Sequence, residues 1–255
     1  REPGTFRKRL SVEDGGEEMV LLVYVDDCLM RGPSKSLVKR ETDKILGKFS
    51  GQIVPPVSVN GATTELDFLG LQVFYDPLKR TMRLIAAKAI DRLKQKFNFG
   101  GGNTRAVTMP AIREDLTPTS KELEEIEKNP PKFPIRSLVG ALNYIGQTAR
   151  PDIVFAVSRV ARYQAKPTPR VIEAAKRVLR YLLATRDDGL SYSKQQEKSF
   201  NRIFRQVAEN GKKLPKFGNV TQFSDADWAG CKTTLKSTSG AVHFLRGTAL
   251  ACSYT

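Results

Sequence analysis

The chain has 255 residues, enough for one large domain or two small ones, and its 40% apolar and 27% charged content is ordinary for a globular protein. Its 42 Lys and Arg against 27 Asp and Glu give a net charge of +15, which favours polyanionic partners such as nucleic acids. Three widely spaced cysteines and one histidine exclude a disulfide framework or a zinc site, and no apolar run is long enough to span a bilayer. We therefore expect an intracellular protein without a membrane partner.

Strand patterns dominate the first part of the chain. Residues 1–18 are charged and contain glycine, which favours a loop or an edge hairpin. The run MVLLVYV over residues 19–25 is typical of a strand buried on both faces, and two acids separate it from CLMR, the pattern of a tight hairpin. A helix is predicted over 36–49, and two strands are predicted over 65–76 and 81–86.

Helices are predicted for the middle of the chain. An apolar stripe at four-residue spacing predicts a helix over residues 86–97, and three successive glycines at 100–102 end it. Thr119 and Glu122 have the spacing of a capping box, which predicts the start of a short helix. Three further amphipathic helices are predicted over residues 135–147, 151–164 and 170–184.

The last part of the chain returns to strand patterns. Residues 187–219 are polar and basic, which favours a linker. Alternating apolar residues predict strands over 220–228, 240–245 and 249–254. The order of strands, helices and strands again predicts an α+β fragment that contains more than one unit.

The strongest candidate for a catalytic, metal-binding motif is Tyr24-Val25-Asp26-Asp27. Two adjacent carboxylates after an apolar strand are costly to bury unless a cation lies beside them. A turn at this point would bring one or both onto Mg²⁺, which prefers hard oxygen ligands. The four-residue pattern alone favours an acidic β-turn over a metal site, because Asp is favoured in turns.

Five segments, taken in chain order, resemble the Pol polyproteins of copia-type LTR retrotransposons. LLVYVDDCLM resembles the catalytic Tyr-x-Asp-Asp hairpin of reverse transcriptases, and ELDFLGLQV resembles the hairpin that grips the primer end. Residues 133–163 and 177–192 resemble the segment between polymerase and RNase H, and DADWAG followed by KSTSG resembles the start of RNase H. The resemblance runs from about residue 19 to 255 and identifies the chain as a fragment of such a polyprotein.

The resemblance implies a role for each matching residue. Asp26 and Asp27 would be the palm carboxylates that hold catalytic Mg²⁺, and Asp225 the first metal-binding carboxylate of RNase H, while Asp227 would be structural. The primer's 3′ end would pack near the residues of the two hairpins: Tyr24, Val25, Phe68, Leu69 and Gly70.

A basic stripe lies opposite the apolar face of the helix over 86–97. Lys88, Arg92 and Lys96 recur every four residues, where the family resemblance implies the thumb helix that follows the template–primer duplex. Such phosphate contacts would position the duplex without reading its sequence. A solvated basic face is an equally good interpretation of the stripe.

The resemblance divides the chain into four expected segments. These are a partial reverse-transcriptase palm (1–85), a helical thumb and connection (86–192), a basic linker (193–219) and the first strands of a truncated RNase H-like domain (220–255). The implied partners are an RNA template, a DNA primer and their hybrid, together with the missing polymerase half and the rest of RNase H. The implied location is a cytoplasmic virus-like particle or the nucleus.

Both implied sites lack carboxylates that the family requires. Only 23 residues precede Tyr24, and their acids lie in a polar stretch rather than in a strand that would supply a third palm carboxylate. No Asp or Glu follows Asp227. We therefore expect the chain alone to be inactive. A non-enzymatic, basic nucleic-acid-binding remnant is the alternative, and an unrelated metal nuclease would leave the match over 133–192 unexplained.

Overall fold

The computed structural model describes residues 4–11, 16–99, 107–111, 113–208, 220–229 and 237–254. The predicted α+β class is confirmed, since the described residues form several sheets and a set of packed helices. The chain divides into two compact units. Unit 1 comprises Arg1–Val57 and Leu66–Leu69, and unit 2 comprises Ser58–Glu65 and Gly70–Thr255.

Unit 1 contains a three-stranded antiparallel sheet and one helix. The strands β1 (Thr5–Arg9), β2 (Glu18–Tyr24) and β3 (Asp27–Arg31) lie in the order β1-β2-β3. Helix α1 (Lys35–Leu46) begins at Ser34, whose hydroxyl oxygen accepts a hydrogen bond from the Leu37 N–H at 3.3 Å. This cap satisfies one of the N–H groups that a helix start leaves without a partner.

The strand predicted from MVLLVYV is confirmed, but the expectation that it is buried on both faces is wrong. Met19 is buried, whereas the side chains of the following β2 residues are half-buried or exposed. A continuous apolar run is typical of a core strand covered on two sides. In unit 1, however, the sheet has only three strands and packs one short helix, α1, against β3, which covers little of β2.

A second sheet has five strands in the order β4-β5-β6-β7-β8. Its strands are β4 (Val57–Asn60), β5 (Thr63–Phe68), β6 (Leu71–Asp76), β7 (Thr81–Ile85) and β8 (Gly189–Tyr192). The single strand expected over 65–76 is divided in two by a turn at Leu69-Gly70, and the expected pairing of β6 with β7 is confirmed. The sequence did not predict β8, because it pairs with β7 across more than 100 intervening residues.

The predicted helices of the middle segment are confirmed, with shifted ends. They are α2 (Ala87–Lys96), α3 (Ser120–Lys128), α4 (Ile135–Thr148), α5 (Val154–Ala161) and α6 (Pro169–Ala184). Residues Pro151–Ile153 form a 3₁₀ turn before α5, and the capping box at Thr119 and Glu122 is present in both directions. The glycines at 100–102, expected to end α2, lie outside the described residues.

Apolar side chains of α2, α4, α5 and α6 form one core, in which Leu138, Val171 and Leu179 are fully buried. This helical core contains one buried charge. The guanidinium of Arg150, 2% exposed, donates to both carboxylate oxygens of Asp152 at 3.0 and 2.8 Å and to the carbonyl and hydroxyl oxygens of Thr185 at 2.7 Å each.

The carboxylate of Asp152 also accepts a hydrogen bond from the Tyr181 hydroxyl at 2.8 Å. Burial raises the pKa of Asp152, but the hydrogen bonds and charge of Arg150 outweigh burial and hold that pKa below its ordinary value. The pair is therefore ionised, with Arg150 inside the helical core and Asp152 partly exposed at its edge.

The expected linker over 193–219 lies only in part within the described residues, which end at 208 and resume at 220. Residues Lys194–Ala208 form a helix, α7, because Ser193 caps its first turn and the residues that follow are strong helix formers. Strands β9 (Val220–Ala226), β10 (Ser239–Leu245) and β11 (Thr248–Tyr254) confirm the predicted strands and form an antiparallel sheet in the order β11-β10-β9. In the part of the chain that the structure describes, no helix has the length and hydropathy needed to cross a bilayer.

Candidate functional site

A β-hairpin is present at residues 18–31, where the motif predicted one. β2 and β3 pair in register, with Val23 opposite Cys28 and Tyr24 opposite Asp27, so Val25 and Asp26 alone form the turn. The prediction that the two aspartates lie at or beside a hairpin turn is therefore confirmed. Asp26 belongs to the turn and Asp27 is the first residue of β3, and both are exposed.

The turn holds Val25 in a conformation that its side chain disfavours. Its φ of 51° lies in the left-handed region, which is a genuine outlier for a β-branched residue. Strain of this kind costs of the order of 1–3 kcal/mol and is concentrated at functional sites. Val25 is 83% exposed and Tyr24 is 62% exposed, so the hairpin presents two apolar side chains to solvent beside two carboxylates.

The hairpin offers two candidate ligands for a metal ion. Two adjacent carboxylates offer the hard oxygen ligands that Mg²⁺ prefers, and their exposure at a turn leaves room for water and phosphate oxygens. Among the residues that the structure describes, no three Asp, Glu, His or Cys side chains are grouped closely enough to hold a metal ion. Asp26 and Asp27 therefore fit Mg²⁺ as two ligands of a larger set.

The turn of the second predicted hairpin connects β5 to β6. Leu69 and Gly70 have φ values of 52° and 75°, and positive φ at both central residues is the mark of a type I′ turn. Phe68 and Leu69 are half-buried. A side chain at Gly70 would begin 3.8 Å from the guanidinium of Arg92, so within unit 2 the fold brings Gly70 and the basic stripe together.

All three stripe residues are exposed on α2, whose opposite face buries Ala87, Ile90 and Leu93. Two of the three have protein partners. Lys88 lies 3.6 Å from a carboxylate oxygen of Glu65, and the ammonium of Lys96 donates to the Ser137 hydroxyl at 2.8 Å. Sequence reasoning missed both partners, because each lies far from α2 in the chain.

The hydrogen bond between Lys96 and Ser137 extends the stripe onto α4. The exposed residues of α4 next to Ser137 along its outer face are polar or small: Arg136, Gly140, Asn143, Tyr144 and Gln147. A Cβ built on Gly140 meets no atom within 4 Å, so the surface is open at that position. Together α2 and α4 present cations, hydrogen-bonding groups and one aromatic ring on a continuous surface of unit 2.

Asp225 and Asp227 have different surroundings at the end of β9. Asp225 is exposed, pairs in register with Gly240 of β10, and accepts a hydrogen bond from the next N–H in the chain at 2.9 Å. Asp227 exchanges hydrogen bonds with Thr238: its N–H donates to the Thr238 carbonyl at 3.0 Å, and its carboxylate accepts from the Thr238 N–H. Asp227 thus ties β9 to the start of β10. The KSTSG lysine, Lys236, lies outside the described residues.

Comparison with known proteins finds relatives that match most of the chain. It is 31% identical over 89% of its length to an uncharacterized mitochondrial protein of Arabidopsis thaliana, of which it covers 79%. It is also 30% identical over 75% of its length to the retrovirus-related Pol polyprotein from transposon TNT 1-94 of Nicotiana tabacum. These similarities support a retrotransposon Pol fragment. The chain's similarity to the Pol polyprotein from transposon RE1 of Arabidopsis thaliana, 28% identical over 92% of the chain, agrees with this.

The comparisons confirm the resemblance to retrotransposon Pol proteins that the motifs indicated. The chain spans 14% of the length of the TNT 1-94 polyprotein and 13% of that of RE1. No family model and no solved structure matches it.

Proposed function

We propose that the chain is the Pol segment that contains the catalytic hairpin of a copia-type reverse transcriptase, its primer-binding turn and the first strands of RNase H. The activity is RNA-directed DNA synthesis, in which deoxynucleotides are added to the 3′ end of a primer on an RNA template. The observation that carries the proposal is the strained two-residue turn at Val25-Asp26, which exposes two carboxylates at the tip of an antiparallel hairpin.

The hairpin contributes ligands and a packing surface to this reaction. Asp26 and Asp27 would hold Mg²⁺ through their carboxylate oxygens, and the ion would supply the positive charge that activation of the primer hydroxyl and departure of pyrophosphate require. Tyr24 and Val25 present exposed apolar surface on which the last primer nucleotide would pack. Asp225 would contribute to the separate Mg²⁺ site of RNase H.

The surface on α2 and α4 would hold the template–primer duplex or the RNA–DNA hybrid. Lys88, Arg92 and Lys96 span eight residues of helix, about 12 Å at 1.5 Å per residue. Arg92 lies beside Gly70, which supports a role for this end of the Phe68-Leu69-Gly70 segment next to the same duplex. Phosphate contacts of this kind position a duplex independently of its sequence.

A fusion protein would test the proposal. The chain would be joined behind the part of the TNT 1-94 polyprotein that precedes the matching segment, in place of that tobacco segment. Primer extension would then be measured on an RNA template with Mg²⁺. We expect extension by the fusion, and a loss of at least about 10³-fold in Asp26→Asn, because transition-state charge stabilisation of this size rests on metal ligands.

Two matched variants make this result specific. Asp43→Asn changes another exposed aspartate of unit 1, in α1, and should leave extension unchanged. Asp225→Asn should leave extension unchanged and lower cleavage of the RNA strand when the fusion also includes the tobacco sequence that follows. Equal extension by the fusion and by Asp26→Asn would refute the polymerase assignment.

The chain alone should not extend a primer or cleave the RNA of a hybrid, because neither carboxylate set is complete among its residues. The net charge of +15 also supports the second candidate, a basic protein that binds nucleic acid without catalysis. A fusion that binds the hybrid but never extends a primer would favour this candidate.

A further inference from the structure

Helix α7 is docked on the C-terminal sheet by its inner face. The ring of Phe200 lies 5.0 Å from that of Phe244 in β10, which in turn meets Phe223 of β9 edge-on at 5.9 Å. A side chain at Gly247 would begin only 2.5 Å from the Cβ of Phe200, so the turn between β10 and β11 approaches the helix closely. Residues 194–203 are thus part of a packed structure rather than a loose connection.

The outer face of α7 carries a second basic stripe. Lys194, Lys198 and Arg202 recur every four residues, and at 100° per residue they lie within 60° of the direction opposite Phe200. All three are exposed. In the described part of the chain, no carboxylate lies within ion-pair distance of any of them, whereas Lys88 of the α2 stripe is paired with Glu65.

We infer that this outer face of α7 is a second binding surface for the phosphate backbone of nucleic acid, distinct from the surface on α2 and α4. The inference rests on the proposed function, because the ligand is the duplex or RNA–DNA hybrid that a polymerase segment handles. The three cations span about 12 Å of helix, which matches about three base-pair steps at 3.4 Å each.

The surroundings of the stripe favour nucleic acid over other anionic partners. A helix that binds an anionic membrane inserts its apolar face, but the Phe200 face of α7 is occupied by the sheet. A protein partner would need an apolar or aromatic anchor at the centre of its interface. Among the described side chains of α7, Ile203 is the only large apolar one that is exposed, and at 100° per residue it lies 60° from Phe200 and 100° from Arg202, outside the stripe.

The salt dependence of binding tests this surface. The whole chain and its Lys194→Ala/Lys198→Ala/Arg202→Ala variant would be titrated against a fluorescent 20-base-pair RNA–DNA hybrid at several salt concentrations. We expect the log–log salt slope to fall in magnitude by about 0.9 for each phosphate that the variant no longer neutralises, up to ~2.7 in all. Affinity at about 0.1 M salt should fall on the order of 10- to 100-fold.

A control variant separates position from total charge. Lys35→Ala/Lys39→Ala/Lys48→Ala also removes three exposed lysines, all in unit 1, and should change the slope by less than half as much. Circular dichroism would verify that each variant is folded. Equal slopes for the α7 variant and this control would overturn the inference.

Undocking the helix tests whether the packed arrangement matters. Phe200→Ala retains every charge but removes the ring that packs on Phe244, so binding should then require ordering of α7 and should weaken several-fold. Unchanged affinity in Phe200→Ala would show that the charges act as a loose basic segment, against the inference. If anionic vesicles, but not the hybrid, lose affinity for the α7 variant, the surface binds membranes and the inference is wrong.

The α7 inference and the proposed function fail in distinguishable ways. Absence of hybrid binding by the unmodified chain contradicts nucleic-acid handling as a whole, and with it both statements. Hybrid binding that depends on Lys88, Arg92 and Lys96, but not on the α7 residues, contradicts only the α7 surface.

Discussion

Charged residues have opposite surroundings in the helical core of unit 2 and in the β2–β3 hairpin of unit 1. In the core, the guanidinium of Arg150 is buried and every polar partner around it is hydrogen-bonded. At the hairpin, Asp26 and Asp27 are exposed, and the backbone between the strands is strained at Val25. Charge in the core thus serves the fold, whereas charge at the hairpin tip is left accessible to ligands.

The same aspartate substitution in the two regions should have very different effects on stability. Asp152→Ala leaves the buried Arg150 without its carboxylate, and breaking a buried ion pair costs about 3–5 kcal/mol. We expect about 3 kcal/mol, the lower end, because Thr185 still accepts from Arg150 and the Asp152 side chain is 40% exposed. Asp26→Ala should change the free energy of unfolding by less than about 0.5 kcal/mol.

Urea unfolding followed by circular dichroism at 222 nm would measure both changes. Arg136→Ala, which removes an exposed arginine from α4, is the control for removal of a single charge from the helical surface. If Asp152→Ala were as mild as Asp26→Ala, the Arg150 network would contribute little, and the contrast between core and hairpin would not hold.

The elements that sequence could predict are those fixed by local patterns. The helices α2, α4 and α6 follow from apolar residues at helical spacing, and α3 follows from the capping box at Thr119. Sequence reasoning missed β8 because its partner strand lies far away in the chain, and it missed α7 because the polar, basic composition of that segment favoured a linker. β8 pairs with β7, and α7, which is polar in composition, is held by Phe200 on Phe244.

In the candidate site, too, features specified by adjacent residues were predictable, and features that depend on distant residues were not. The hairpin with Asp26 and Asp27 was predictable, because a turn between two strands is specified by adjacent residues. The pairing of Lys88 with Glu65 and the burial of Arg150 were not, because both depend on chain segments that meet only in the folded protein. Arginines are mostly found at protein surfaces, so Arg150 carried no signal of its own.

Relief of strain at the hairpin tip should have a smaller effect, of opposite sign. Val25→Asn places at a positive φ a residue that tolerates it, so we expect stabilisation of up to about 1 kcal/mol. Val25→Ala removes the β-branch but keeps an L-residue with a Cβ there, and it should be intermediate. Thermal unfolding of the whole chain would rank the three proteins.

The Val25 variants also test whether the strain serves function. In the fusion with the preceding part of the TNT 1-94 polyprotein, Val25→Asn should lower primer extension although it stabilises the fold, because it replaces the apolar surface at the tip with an amide. Stabilisation with full extension would assign the strain to the fold alone. No change in either measurement would mean that the turn is not strained.

The smallest effect concerns an ion-pair cluster of unit 1 that lies near the protein surface. The carboxylate of Glu41 in α1 accepts hydrogen bonds from Lys44 at 2.9 Å and from Lys8 of β1 at 2.8 Å. The hydrogen bond from Lys44 has the largest effect and that from Lys8 the next largest, and together they lower the pKa of Glu41 from 4.5 to about 2. Both lysine side chains are more than half exposed, so salt should screen the cluster.

A depressed pKa in the folded state means that Glu41 contributes its stabilisation fully above about pH 4.5 and loses it as the pH falls through about 2. Glu41→Gln should therefore flatten the loss of protection in β1 and α1 between these two pH values. Hydrogen exchange of the whole chain, resolved by segment, would detect the change. About 0.5 M salt should mimic Glu41→Gln in unit 1 but leave the Arg150 region largely unaffected, since buried pairs are screened much less. Equal salt sensitivity in both regions would contradict the division between a buried, satisfied core and an exposed sheet.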